Sequence, residues 1–118
     1  MNQSLTNLVS SRLPIAGLLA YSIQLPDRVL LTQCVANALE RSATEEMLAS
    51  VVRNGRALLP TTQAPANYCW SFEQFRIHVS ARADGTCLAV IVENHPGVQL
   101  GRLRELLQDF SACDSVTN

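Results

Sequence analysis

The clearest pattern of hydrophobic and polar positions lies in residues 67–94, where the two kinds of residue alternate along short runs. Successive side chains of a strand point to opposite faces of a sheet, so this alternation predicts three antiparallel strands. Glu73-Gln74 is predicted to form the first turn. Asp84-Gly85 is predicted to form the second, because such a pair readily adopts the positive φ angles of a two-residue hairpin.

These two turns define a register for the three strands. The predicted cross-strand pairs are Phe72 with Phe75, Trp70 with Ile77, Tyr68 with Val79, Ala81 with Leu88, Val79 with Val90 and Ile77 with Val92. All of these side chains would share one face, and that consistency favours the register. The last strand is apolar on its other face as well, through Cys87, Ala89 and Ile91. We therefore expect it inside a sheet that is covered on both faces.

The remaining segments predict two further strands and three helices. Residues 15–23 are apolar on both faces, which is typical of a central strand, and residues 28–35 return beside them as an edge strand. Helices are predicted over residues 3–12 and 98–110. The fold class is therefore α+β, in the order α-β-β-α-β-β-β-α, with a five-stranded, mostly antiparallel sheet and helices on both faces. We expect a single domain over residues 1–118 with a frayed tail from about residue 111.

The best helix is predicted over residues 43–59, and its apolar surface is wider than packing on a sheet requires. Ser42 and Glu45 predict a capping box at its start, and Pro60 ends it. Its apolar positions cover an arc of about 140°: Met47, Leu48, Val51, Val52, Gly55, Leu58 and Leu59. A glycine within a helix costs about 1 kcal/mol against alanine, so Gly55 suggests that another backbone approaches the helix here.

The composition limits the classes of function that the chain can have. Charged residues make up only 16% of the chain, below the usual figure of about 25%, which suggests that a partner covers part of the surface. The net charge of −1 offers no basic field for nucleic acid. We expect a cytoplasmic protein, because the chain shows neither a signal-peptide pattern nor an apolar run of about 20 residues. The cysteines are expected to be buried free thiols, with no metal or cofactor: Cys34, Cys69, Cys87 and Cys113.

The search for catalytic chemistry centres on His78. Ser80 shares its strand and face, but positions i and i+2 stand about 6–7 Å apart, too far for a direct hydrogen bond. Cys69 opposite His78 would form a thiol–imidazole pair, with nothing nearby to orient the imidazole. Residues 97–101 contain two glycines but lack the lysine of a phosphate-binding loop. None of these patterns predicts an enzyme.

Two other groups of residues have alternative interpretations. Tyr68, Trp70 and Phe72 would form a ligand-stacking shelf, although core or interface packing is the simpler interpretation. Arg53 and Arg56 would suit arginine fingers acting on a bound nucleotide hydrolase, although a solvated helix face explains them as well.

The order of elements, together with four short stretches, resembles the roadblock/LC7 family of dynein-light-chain-like domains in its free-standing bacterial form. The stretches are LPIAG at residues 13–17, ADGT at residues 83–86, LAVIVEN at residues 88–94 and the Asn-x-Pro-Gly step at residues 94–97. The resemblance covers nearly the whole chain.

This resemblance implies a homodimer in which two sheets join edge to edge through the second helix and the third strand. The implied interface residues are Met47, Val51, Gly55, Leu58, Tyr68 and Trp70. A non-enzymatic regulatory or scaffold role is implied as well, with a Ras-like small GTPase as the partner and Glu45, Glu46, Arg53 and Arg56 near its surface. The surplus apolar width of the helix and the free edge of the strand agree with such a dimer.

Two other classes of protein stay open. A dimeric secretion chaperone is also a small α/β protein, although such chaperones tend to be strongly acidic. A PAS-like ligand-binding domain or a small hydrolytic enzyme would need a pocket between sheet and helix. We expect Trp70, Phe72 and Leu88 to fill that space.

Overall fold

The chain forms five strands and three helices in the predicted order, within the residues that the structure describes. The computed structural model describes residues 3–13, 15–25, 27–35, 40–58, 66–82, 85–94 and 97–112. The elements are α1 (Gln3–Ser11), β1 (Leu18–Gln24), β2 (Val29–Cys34), α2 (Arg41–Leu58), β3 (Ala66–Ser71), β4 (Phe75–Ala81), β5 (Cys87–Glu93) and α3 (Leu100–Ala112). The predictions for Leu59, Pro60, Asp84, Cys113 and the end of the tail lie outside the described residues.

The strands form one sheet in the order β2-β1-β5-β4-β3, and each neighbouring pair is antiparallel. Strand β5 lies at the centre, and its side chains are buried from Cys87 to Val92. Strands β2 and β3 form the two edges. The prediction that a strand apolar on both faces occupies the centre is confirmed, because only a position between two helical layers buries both sets of side chains.

The first of the two predicted turns, Glu73-Gln74, is confirmed. Phe72 N–H donates to Phe75 O over 2.9 Å, and the two phenyl rings stack with their centroids 4.8 Å apart. Asn94 holds the turn from the end of β5: its side-chain amide donates to Phe72 O (3.0 Å) and its backbone N–H to Gln74 O (3.2 Å). These bonds explain how a turn without glycine is kept closed.

The loop of the second hairpin is one residue longer than predicted, so β4 pairs with residues of β5 that lie one position earlier in the chain. Arg82 N–H donates to Thr86 O (2.9 Å), and Gly85 N–H donates to Arg82 O (3.0 Å). Three residues rather than two therefore separate the closing pair. Gly85 has a φ of 92°, which suits the glycine that ends a three-residue hairpin loop. The predicted pairs Ala81–Leu88, Val79–Val90 and Ile77–Val92 are wrong; the observed pairs are Ala81–Cys87, Val79–Ala89 and Ile77–Ile91.

This shift of one residue turns β5 over, because side chains alternate between faces. Leu88, Val90 and Val92 pack with α1 and α3, so they do not share the face of Ile77 and Val79 as predicted. The set that does share it, facing α2, is Cys87, Ala89 and Ile91. Both sets are apolar, so either orientation fills the core, and the hydrophobic pattern alone does not distinguish them.

Helices cover both faces of the sheet, as predicted. Leu48 and Val52 of α2 are buried against one face. On the other face Val9 of α1 packs in one cluster with Leu106 and Phe110 of α3. An ion pair of 2.6 Å between Arg12 and Asp109 also joins the region after α1 to α3. No helix within the described ranges is long and apolar enough to cross a membrane.

Helix α2 begins earlier than predicted, and Glu40 is the residue that caps it. The Glu40 carboxylate accepts a hydrogen bond from Ala43 N–H (2.9 Å), and its backbone carbonyl accepts one from Thr44 N–H (3.0 Å). Ser42 is exposed within the first turn, so the predicted capping box of Ser42 and Glu45 is wrong. A carboxylate at this position suits the positive end of the helix dipole.

Candidate functional site

Helix α2 carries two apolar stripes, and only one of them is used by the sheet. Leu48 and Val52 are 0% and 1% exposed. Met47 and Val51 lie at the border of the same hydrophobic cluster and are only half-buried. A helix needs a single apolar stripe to pack on a sheet. The second stripe is therefore surplus to the described fold.

Strand β3 lies beside this stripe at the open edge of the sheet. Tyr68 and Trp70 project to the α2 side and pack, half-buried, against the α2 cluster. The Tyr68 hydroxyl donates to the carbonyl oxygen of Val52 over 3.5 Å, which ties the strand to the helix. Phe72 follows directly after the strand and is 44% exposed. These apolar side chains lie along β3, an edge strand whose outer side has no strand partner among the described residues.

The indole of Trp70 leaves one polar group unsatisfied. Its Nε1 is buried, and no acceptor for it lies within the described part of the chain. A buried donor without an acceptor costs about 1–3 kcal/mol.

The structure brings together four of the six residues predicted at a dimer interface. Met47, Val51, Tyr68 and Trp70 border one surface, which we call the seam surface. The other two, Gly55 and Leu58, belong to the last turns of α2, where the structure describes the backbone only. Of the predicted partner surface, Glu46 and Arg53 are exposed, Glu45 is half-buried, and Arg56 lies in α2 with its side chain outside the description.

A cleft of about 490 Å³ lies on the other face of the sheet, between β3, β4 and α3. The expectation that Trp70, Phe72 and Leu88 fill the space between sheet and helix is wrong. Trp70 packs toward α2, whereas Leu88 packs toward α3. The cleft is lined instead by Asn67, Cys69, Arg76 and His78 of the strands and by Leu100, Leu103, Arg104, Leu107 and Gln108 of α3, together with Tyr68 and Val79.

Cys69 and His78 face each other within this cleft, as the predicted register of β3 and β4 requires. The Cys69 Sγ lies 3.9 Å from the His78 Nε2, and Cys69 is exposed, so the expectation that it is buried is wrong. Burial lowers the pKa of His78, and the positive charges of Arg76 and Arg104 lower it further. Ser80 does not serve His78: it is fully buried, and its hydroxyl donates to Leu107 O over 3.1 Å.

The structure thus separates two sites on opposite faces of β3. The seam surface is apolar and adjoins α2, and the cleft is polar and adjoins α3. Sequence reasoning found the first through the surplus width of α2. It missed the second, because the signal was spread over residues as distant as Asn67 and Gln108. Within the described ranges no cluster of His, Cys, Asp and Glu is suited to hold a metal ion.

The chain matches no protein-family model and no curated protein, but it is similar to several solved structures. The Roadblock/LC7 domain from Streptomyces avermitilis superposes with a TM-score of 0.59 at 15% identity, over 95% of this chain and 92% of that one. MglC from Myxococcus xanthus gives 0.55 at 14% identity, over 94% and 93%. A structure of MglB with a tetrameric arrangement gives 0.54 at 10% identity, over 92% and 83%.

These similarities define the class of fold. The chain has the roadblock/LC7 fold: a five-stranded antiparallel sheet between α2 on one face and α1 and α3 on the other. The fold class that the sequence predicted is confirmed. At 10–15% identity the likeness concerns the fold, and function is argued from the surfaces themselves.

Proposed function

We propose that this protein is a non-enzymatic scaffold or regulator that acts as a homodimer, with its subunits joined along α2 and β3. The observation that carries the proposal is the seam surface: Met47, Val51 and Trp70 are left half-buried beside β3, an edge strand that pairs only with β4 within the described residues. A strand edge of this kind favours pairing with another chain.

Pairing of two copies through β3 would give the strand edge a partner and cover the apolar side chains beside it. The two strands would meet around a two-fold axis, so each subunit would present the same patch to the other. One continuous sheet would then run through both subunits. Each large apolar side chain that becomes buried would contribute about 1.5–3 kcal/mol. Met47, Val51 and Trp70 of both subunits would therefore supply enough for a stable dimer.

The comparison with MglB supports association as a property that this fold allows. That protein has been described in a tetrameric arrangement. We infer a two-fold assembly for the present chain, because the apolar stripe and the strand edge adjoin each other and one isologous contact would cover both.

The dimer is expected to persist at micromolar concentration. Light scattering should give a mass of about twice the 12.9 kDa of the chain. Trp70 is the only tryptophan, so its fluorescence reports the seam directly. Its emission should shift to longer wavelength on dilution, as the indole becomes exposed to water. A monomer in light scattering, with emission independent of concentration, would refute the proposed assembly.

We further propose that the dimer binds a Ras-like small GTPase, the partner class implied by the roadblock resemblance. The supporting feature is the exposed side of α2, where Glu46 and Arg53 stand in water with Glu45 beside them. Two such helices around a two-fold axis would form a platform of mixed charge for a folded partner.

A purified Ras-like small GTPase from the same organism is the reagent for the test. The dimer should bind it, and the rate of GTP hydrolysis should change if the role is regulatory. Arg53→Glu should weaken binding about tenfold through lost charge complementarity. Arg102→Glu on α3, an equally exposed arginine outside this platform, is the matched control. Absence of both binding and a rate change would reject the GTPase partner while leaving the dimer intact.

A further inference from the structure

The cleft between β3, β4 and α3 has an unbalanced positive charge. Arg76 and Arg104 line it, together with the imidazole of His78, and no acidic side chain of the described residues does so. The ion pairs found within the described ranges, Arg12 with Asp109 and Asp27 with Arg28, lie outside this lining. Both arginines therefore line the cleft without a counter-charge from its described walls.

The side chain of Arg76 gives a second indication of an anion-binding site. Its Nε is buried, and no acceptor for it lies within the described residues. Hydrogen bonds from a guanidinium to an anion are short and about twice as strong as neutral ones, so a buried Nε–H without an acceptor is costly. Arg76 lies on β4 and lines the cleft, so the donor without an acceptor belongs to a side chain of this site.

The pKa of His78 reflects the same positive charge in the cleft. Burial is the main cause of its lowered pKa, and the charges of Arg76 and Arg104 add to the effect. Both effects favour the neutral imidazole. A negative charge placed among these three side chains would favour the protonated form and raise the pKa again.

The rest of the cleft suits a ligand with an apolar part. Leu100, Leu103 and Leu107 of α3 form one wall, and the carboxamides of Asn67 and Gln108 add neutral polar groups. The volume of about 490 Å³ lies within the range of roughly 300–1,000 Å³ that is usual for small-molecule sites.

We propose that this cleft is a binding site for a small phosphate monoester with an apolar or aromatic body. The phosphate would receive hydrogen bonds from the guanidinium groups of Arg76 and Arg104, whose planar forks match its oxygens. Its two negative charges balance the two arginines, whereas a monocarboxylate would leave one unbalanced. The leucines of α3 would cover the body of the ligand. This site does not depend on the proposed dimer or its GTPase partner.

Phenyl phosphate is the probe that combines the two parts of such a ligand. It should be titrated into the protein in phosphate-free buffer at pH 7.5, with chemical shifts followed by NMR. We expect saturable shifts at the amides of β4 and α3 that line the cleft, and at the His78 ring. The pKa of His78 should rise in the complex. Phenol should not bind, and benzoate should bind more weakly. Equal affinity for benzoate and phenyl phosphate would overturn the phosphate assignment.

Charge-neutral variants test the site residue by residue. Arg104→Gln and Arg76→Gln should each weaken phenyl phosphate binding about tenfold or more. Arg102→Gln is the matched control: it removes the same charge from the same helix, is exposed, and lies outside the cleft. Arg104 is also exposed, so its variant should fold even if Arg76→Gln does not. Equal losses for Arg102 and Arg104, or the absence of saturable shifts in the unmodified protein, would overturn the proposal.

Discussion

Replacing Gly17 with alanine is expected to lower the free energy of unfolding by about 3 kcal/mol. Gly17 has a φ of 90°, where an L side chain is strained. A Cβ at this position would lie 2.5 Å from the Cγ2 of Val98 and 3.1 Å from its Cα. Part of that contact is with backbone, so a change of rotamer does not relieve it. Strain and overpacking act together, and the melting temperature should fall by roughly 10 °C.

The surroundings of Gly17 leave the backbone little room to move. The carbonyl of Gly17 accepts a hydrogen bond from Glu93 N–H (2.9 Å). Ala16 and Gln99 bond to each other twice, through Ala16 N–H to the Gln99 Oε1 and Gln99 N–H to Ala16 O, both over 3.0 Å. The entry to β1 is thus bonded both to β5 and to the start of α3. Relief of the clash would break these bonds, which is why we expect a large effect.

Gly101 provides a control of the opposite sign. It is exposed within α3, and an added Cβ would meet nothing within 4 Å. Gly101→Ala should therefore raise the free energy of unfolding by up to about 1 kcal/mol, because alanine is the better helix former. Urea denaturation of both variants at one protein concentration makes the comparison. A Gly17→Ala protein as stable as the unmodified one would contradict the tight packing of Gly17 against Val98.

Replacing Val51 with glutamate is expected to raise the dissociation constant of the proposed dimer about a hundredfold or more. Val51 is half-buried in the single chain, so the monomer should tolerate a carboxylate there. In the dimer the carboxylate would be buried in an apolar interface without a partner. That desolvation is costly, and the two-fold axis would place one such charge on each subunit. Sedimentation equilibrium measures the change.

Ser42→Glu is the matched control, since it adds the same charge to the same helix. Ser42 is exposed and nine positions from Val51, which at about 100° per residue is the opposite side of α2. A glutamate in the first turn also suits the helix dipole. This variant should remain a dimer, and circular dichroism should show both proteins folded. An equally stable dimer with Val51→Glu would exclude the seam surface as the interface.

The alternation of side chains along β3 allows one strand to border two surfaces. Tyr68 and Trp70 point to the α2 side and border the seam surface. Asn67 and Cys69 help to line the cleft beside α3. If the subunits join along β3, the two clefts approach each other across the seam. A ligand bound in the cleft would then lie close to the dimer interface.

Much of the fold could be predicted because it follows from local patterns. The central place of β5 follows from its apolar residues on both faces, and the surplus stripe of α2 follows from the width of its apolar arc. The register of β3 against β4 was correct because the Phe72 and Phe75 pair closes a turn of only two residues. Four of the six predicted interface residues lie together in the structure, and this too follows from local patterns. They occupy the apolar positions of two elements that are adjacent in the fold.

Other features were decided by contacts between distant residues. The orientation of β5 depends on where the second hairpin closes. Both faces of β5 are apolar, so the hydrophobic pattern does not show that the predicted register is shifted by one residue. Glu40 caps α2 because the helix starts at Arg41, two residues earlier than predicted, and no local motif indicated this. The cleft arises because α3 leaves part of the β3–β4 surface uncovered, so that Arg76 and His78 meet Arg104. The sequence by itself determined the elements and their apolar faces, since these depend on periodicity. The tertiary structure alone decided how much of each face is covered, since that depends on how far each helix reaches across the sheet.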